Sequence, residues 1–446
     1  MKGRHAVADT EVSGATERHR LLQEAVERHM IRYIGDFPGF FIERAEGAYI
    51  WDDRGRKILD FTSGQMCATL GHNHPEVVAA IQRSCERSIH LFSWLLAPEV
   101  VDLCRELASL LPPQLQKVIL LNTGSEANEA ALRMAKLATG GFEVVGLSAS
   151  FHGLTGGAGA VTYSVGRSGT GPALPGSMAI PAPNGYRCPI RHCAGTCDLA
   201  CLEVGFEQVD QQSTGALAAA IVEPIISTGG VIVPPAGYFP RLKQLCEARG
   251  MLLILDEAQT AFGRVGANFC FEQDGVVPDF LAVSKTLGGG IPLAATVTSA
   301  EIEEDCYRKG FVHVTSHVSD PLPAAVGLAV LEVLRRERLA ERAVTLGARL
   351  EAGLLELQQR HEVIGDVRGR GLLWGVELVR DRHSRAPDAA LGTKISQRCL
   401  ELGLSMNIVA LPRLASVWRI APPLTCSEAQ IDEGITILDQ AIRESL

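Results

Sequence analysis

The sequence predicts an α/β fold: a large domain on a mostly parallel central sheet, plus a smaller α+β domain. Three observations carry this. Apolar runs of strand length at 117–121, 143–147, 218–222, 251–255 and 280–283 show little of the alternation of a half-exposed strand, as befits strands buried on both faces. Helical periodicity, clearest at 126–139 and 236–249, falls between these runs, giving the strand–helix order of parallel sheets. At 446 residues the chain is long enough for two or three domains, and its pattern changes after about residue 323. The expected division is 1–70 as an N-terminal segment joining the small domain, 71–325 as the large domain, and 326–446 as the C-terminal small domain.

The elements follow in order. Residues 20–35 read as an amphipathic helix ending at Gly35, and short strands are expected at 41–44, 48–51 and 58–61 around the Glu46-Gly47 and Asp52–Gly55 turns. Ser63-Gly64-Gln65-Met66 is a small polar loop, and Pro75 opens a helix. Helices near 75–88 and 97–111 lead into the strand at 117–121. Beyond the large domain, 323–360 reads as strongly helical, with strands at 371–379 and 417–421 around a helix near 390–402.

Composition narrows the function. Hydrophobic residues make up 46% and charged residues 21%, an ordinary globular balance. A net charge of -9 argues against nucleic acid or an anionic membrane as partner. No apolar run approaches a membrane span and the polar N-terminus lacks a secretory signal, so a cytoplasmic location is expected. Most of the 12 cysteines are scattered singly, which fits reduced packing thiols. Cys188, Cys193, Cys197 and Cys201, with His192, are the exception. Their C-x4-C-x3-C-x3-C spacing matches no common structural zinc site, so a surface loop of free thiols is favoured over a zinc site.

The chemistry concentrates in 251–292. Its first strand ends in Asp256, and the next delivers Lys285 into Gly288-Gly289-Gly290. Ligands of parallel sheets sit at the carboxyl ends of strands. An aspartate and a lysine placed there are the two groups pyridoxal phosphate needs, one to keep its ring nitrogen protonated and one to bind its aldehyde. Taken singly, each has an ordinary alternative: a helix cap for Asp256, a solvated loop residue for Lys285. Upstream, Thr123-Gly124-Ser125 joins a strand to a helix N-terminus, a phosphate cradle. Phe151, beside His152, could stack on a ring or belong to the core. Glu223 ends another buried strand, and Arg419 lies within an apolar one. Such an arginine grips a substrate carboxylate or closes an internal ion pair.

LDEAQTAFGRVG followed by SKTLGGGIPLAA resembles the class III aminotransferase family of fold-type I pyridoxal-phosphate enzymes. The similarity covers nearly the whole chain after about residue 30. FTSGQM, HVSDPLPAAVG and LGLSMNIV are similar to the 2,2-dialkylglycine decarboxylase branch of that family. The resemblance implies Lys285 as the Schiff-base lysine, Asp256 on the ring nitrogen, Gln259 at the ring hydroxyl and Phe151 stacked on the ring. It implies Thr123, Gly124 and Ser125 at the phosphate, joined by Ser316 of a neighbouring subunit, with His152 and Glu223 close by. Arg419 would hold the retained substrate carboxylate, Gln65 would address the leaving group, and Trp94 would border the substrate. A K+ or Na+ site is also implied, from oxygens of Leu91, Ser93, Ser316, Val318 and Asp320. Against the decarboxylase pattern, tryptophan gives way to Phe151, threonine to Ser316 and serine to Thr228, while Trp374 is larger and the cysteine cluster is new.

The expected reaction is decarboxylation-coupled transamination of α,α-disubstituted amino acids, giving a ketone and CO2, with amino transfer to a 2-oxo acid such as pyruvate. The alternative is a class III aminotransferase acting on an ω-amine or amino acid without CO2 loss. A homodimer or homotetramer is expected, because Ser316 would serve a partner's site.

Overall fold

The computed structural model describes residues 4–33, 35–188, 190, 197–406 and 416–446. Near the N-terminus, β1 (Ile42–Glu46), β2 (Tyr49–Asp52) and β3 (Lys57–Asp60) form an antiparallel meander. The central sheet then uses seven strands: β4 (Lys117–Leu121), β5 (Glu143–Leu147), β6 (Ser177–Ile180), β7 (Leu217–Val222), β8 (Leu252–Asp256), β9 (Phe280–Val283) and β10 (Ala294–Thr298). Their order is β4-β10-β9-β8-β7-β5-β6, and only β10 runs antiparallel to its neighbours. Every residue of β5, β9 and β10 is buried, as their continuous apolar runs require.

The C-terminal region holds β11 (Ile364–Arg370), β12 (Leu373–Asp381), β13 (Ala386–Pro387), β14 (Leu404–Ser405) and β15 (Val417–Ile420). β12 pairs antiparallel with β11, β13 and β15, whereas β14 crosses to pair parallel with β3. A chain-terminal element thus extends the N-terminal meander. Phe61, Leu350, Trp418 and Ile442 share one core, distinct from that under the central sheet.

Several boundaries differ from expectation. The first helix spans Arg4–His29 and stops before Gly35. The helical stretch after 323 is two helices, Pro321–Arg336 and Leu339–Arg360, because Arg338 takes a left-handed φ of 51°. β6 and β10 carried too little sequence pattern to be anticipated. Among the described residues, no helix is long and apolar enough to cross a membrane.

Candidate active site

The carboxyl ends of β7, β8 and β9 and the start of the Gly124–Thr139 helix meet around a cavity of about 310 Å³. Gly124, Ser125, Phe151, His152, Glu223, Asp256, Gln259 and Lys285 all line it. A larger cleft of about 750 Å³ lies between the N-terminal helix and residues 36–42. That cleft offers no lysine, histidine or cysteine, so the smaller cavity is the better candidate.

Asp256 is the last residue of β8 and is buried. Its Oδ2 accepts from Asn128 Nδ2 at 2.7 Å and faces His152 Nδ1 at 2.9 Å, and Oδ1 accepts from the Ala258 N–H at 3.0 Å. Burial pushes its pKa up, but the His152 hydrogen bond and charge, Lys285 and the Ala258 N–H outweigh that and hold it below the ordinary value. The site therefore keeps a buried anion.

Lys285 follows β9 and opens a short 3₁₀ turn with φ of 51°. A left-handed, non-glycine residue costs about 1–3 kcal/mol, and such strain collects at functional sites. Burial lowers the amine's pKa, against the pull of Asp256 and Cys67. Packed on this turn is the Ser63–Met66 kink, held by a 2.8 Å contact between Thr69 and Thr286 hydroxyls. Gln65 is exposed on that kink, one residue from Met66 and two from Cys67.

The cradle is tight. A Cβ at Gly124 would lie 2.9 Å from Ser284 Oγ, so a larger residue there would have to displace that hydroxyl. Thr123 caps the helix through the Glu126 N–H, and the Glu126 carboxylate returns to the Thr123 N–H. Ser125 Oγ lies 2.6 Å from Thr155 Oγ1. Glu223 accepts from the N–H groups of Phe151 and Ser227, yet burial raises its pKa to about 7.

Arg419 is buried on β15 and donates to Gln259 Oε1 at 2.9 Å. Among the described residues no carboxylate forms an ion pair with it, and its Nε has no partner. Burial lowers its pKa to about 10. An unpaired buried guanidinium favours a ligand carboxylate over the internal ion pair.

Sequence reasoning missed Asn128 and Ser227. The signal for Asn128 was a polar residue on the alanine-rich, inward face of its helix. Ser227 bonds Gln259 Oε1 at 2.8 Å and sits behind Arg419. Several expected residues do not reach the cavity of their own chain. Ser316 and Trp94 are exposed, Trp94 to 82%. Leu91 and Ser93 are half-buried and Val318 is buried, while the carboxylate of Asp320 faces His90 and His317. Trp374 lies in the C-terminal core, with its indole N–H on Gly371 O, and forms no wall of the cavity. Cys193 and His192 lie outside the described residues; Cys188, Cys197 and Cys201 are free thiols.

The residues present fit pyridoxal phosphate. Buried polar atoms without partners, Asn128 Oδ1 and His152 Nε2, belong to residues that line the cavity, with Ser284 Oγ beside Gly124 and Arg419 Nε on the side chain that bonds Gln259, and the same cavity takes in a buried anion and a helix N-terminus. The sequence profile of the class-III aminotransferases matches residues 34–442. An uncharacterized aminotransferase of Schizosaccharomyces pombe is 51% identical over 93% of this chain and 93% of its own. The 5-aminovalerate aminotransferase DavT of Pseudomonas aeruginosa is 36% identical over 93% of this chain and 96% of its own. A crystal structure of an (S)-enantioselective omega-transaminase from Thermomicrobium roseum superposes with a TM-score of 0.88 at 30% identity, covering 96% of this chain and 98% of that one.

Proposed function

This chain belongs to the class-III aminotransferase family, and from that premise we propose that its β7–β9 cavity moves an amino group from an amino acid to a 2-oxo acid. One relationship carries the proposal: the buried Asp256 anion and the Lys285 amine line the same cavity. Bound pyridoxal 5'-phosphate supplies an aldehyde for the amine and a ring that accepts an electron pair from a bond to Cα.

The protein's own residues do the rest. Asp256, kept ionised by His152 and Asn128, holds a proton on the ring nitrogen. Lys285 Nζ, its pKa lowered by burial, is the base that carries a proton to and from the reacting carbon. Gly124 and Ser125, at the helix N-terminus, would hold the phosphate, Phe151 would pack on the ring and Gln259 would offer its amide to the ring's polar edge. Arg419 trades its bond to Gln259 for a substrate carboxylate. Ser316 and Trp94 are both exposed, Trp94 in a segment with the exposed Phe92, Leu95 and Leu96, and both are assigned to a partner subunit's cavity in a homodimer or homotetramer.

The finer reading is an α,α-disubstituted donor that loses CO2. Its α-carbon carries no proton, so the carboxylate bond is the one that breaks. Supporting this are the resemblance of FTSGQM and LGLSMNIV and two separate places for polar substrate groups, Arg419 on β15 and Gln65 on the kink over Lys285. The name of the DavT relative favours the second reading, amino transfer without CO2 loss. Holoenzyme given 2-aminoisobutyrate and pyruvate separates them. Acetone, CO2 and alanine in equal amounts establish decarboxylation. Alanine formed only from donors with an α-hydrogen establishes plain transamination. No alanine from any amine overturns amino transfer.

A further inference from the structure

β3 ends in Asp60, whose buried carboxylate reaches forward into the turn that follows. Its Oδ1 accepts from the Thr62 N–H at 2.9 Å and from the Thr62 hydroxyl, and its Oδ2 accepts from the Gly64 N–H at 2.7 Å. The same Oδ2 lies 2.8 Å from His72 Nε2. His72 is itself fixed, because its backbone exchanges two hydrogen bonds with Gly47 in the β1–β2 turn. Burial would raise the pKa of Asp60, but the bonds from His72, Thr62 and Gly64 outweigh it and hold the group below its ordinary value. What the pair holds is an unusual piece of backbone. Ser63 and Met66 take left-handed φ of 48° and 61°, and Gly64 between them takes φ of 62° with ψ of -123°, open to glycine. Such a conformation persists only where its surroundings over-determine it, and it collects at functional sites. Further support comes from Ser63 Oγ, which donates to Ala421 O at 2.6 Å, two residues past Arg419.

We infer that Asp60 and His72 are positioning residues for amino transfer, which fix the Ser63–Met66 kink so that it presents Gln65 to the substrate, an assignment that rests on the substrate contact proposed for Gln65. Neither residue lines the cavity, so both act through the kink. A carboxylate that merely capped a turn would need only the Thr62 and Gly64 N–H groups. The imidazole on the oxygen that holds Gly64 adds a third anchor and restricts the carboxylate to one orientation. Removing the ring leaves a buried carboxylate short of a partner and frees the backbone between Ser63 and Met66 to relax. The kink packs on the Lys285 turn through the Thr69 and Thr286 hydroxyls, so its relaxation is felt beside the reacting amine.

The test is a double-variant cycle on the holoenzyme, with Gln65→Ala, His72→Phe and the two combined. The donor half-reaction is followed by the cofactor's absorbance, with 2-aminoisobutyrate and with L-alanine in turn. A positioning group misplaced by about 1 Å costs about 100-fold in rate, so His72→Phe should lower kcat/KM by up to that factor with the donor that Gln65→Ala slows. The combined variant should be no slower than Gln65→Ala alone, because both changes remove one contact. His72→Gln, which returns a nitrogen to Asp60, should recover most of the rate. Asp60→Asn, which keeps the volume and removes the charge, takes the place of His72→Phe if that variant does not fold. Losses that multiply in the combined variant overturn the positioning role and leave Asp60 and His72 as supports of the fold. An unchanged rate in His72→Phe overturns it too. Wild-type turnover by Gln65→Ala with both donors overturns the contact proposed for Gln65 and the positioning with it, while amino transfer itself stands.

Discussion

His152 Nδ1 stands 2.9 Å from Asp256 Oδ2, with the two side chains 0% and 4% exposed. The imidazole is what lets a carboxylate stay ionised where burial alone would protonate it. Because the folded pKa is depressed, the anion's contribution to stability is present above the unfolded pKa and lost as pH falls through the folded one. Asp256→Asn should cost about 10²–10³ in kcat, the scale of removing one preorganised electrostatic partner. His152→Gln should keep the fold and move the acid limb of kcat/KM to higher pH. An acid limb that stays put in His152→Gln would remove His152 from this role.

Lys285 combines a lowered amine pKa with a strained backbone. Lys285→Ala should lose turnover and the visible absorption of the bound cofactor together. Lys285→Gly should lose the same activity, yet its cofactor-free form should be about 1 kcal/mol more stable than that of Lys285→Ala, since glycine accepts the left-handed φ without penalty. Equal denaturation midpoints for the two variants would mean that the strain is not stored there.

The central sheet and the Asp256–Lys285 pair were legible because continuous apolar runs and polar strand ends are local signals. β10 was not, since its antiparallel insertion between β4 and β9 depends on partners far away in sequence. Asn128 was hidden for a related reason: a helical asparagine acquires meaning only when its amide meets Asp256 across the fold. Arg419 was legible as an anomaly in an apolar strand, but its lack of a carboxylate partner needed the neighbours around Gln259. Trp374 shows the converse, a bulky departure from the decarboxylase pattern that the β12 pairing with β15 turns into the core.

Arg419 gives a substrate-specific test. Its acceptor on Gln259 is a neutral amide oxygen, which a charged carboxylate can replace with a bidentate pair. Arg419→Ala should raise KM for amino acids about 10-fold or more, the loss of a charge-assisted bond worth roughly 1.5–3 kcal/mol. Amines without a carboxylate should be affected little, because they never use the guanidinium. Equal losses for both substrate types, measured as kcat/KM, would instead point to a structural role for Arg419.

The first 70 residues, we propose, fold with the C-terminal unit. β14 continues the N-terminal meander, and Phe61, 1% exposed, lies against Gly434 of the Glu428–Ser445 helix. A Cβ at Gly434 would run into the Phe61 ring. Gly434→Ala gains about 1 kcal/mol of helix propensity but overpacks this contact by about 1–3 kcal/mol, so a net loss of stability is expected in denaturant titration. The damage should also be local. Limited proteolysis of Gly434→Ala should cut β1–β3 and the C-terminal helix sooner than in the wild type, while β4–β10 keep their protection. Cleavage that begins in the central sheet, with the meander intact, would place the first 70 residues with the large domain instead.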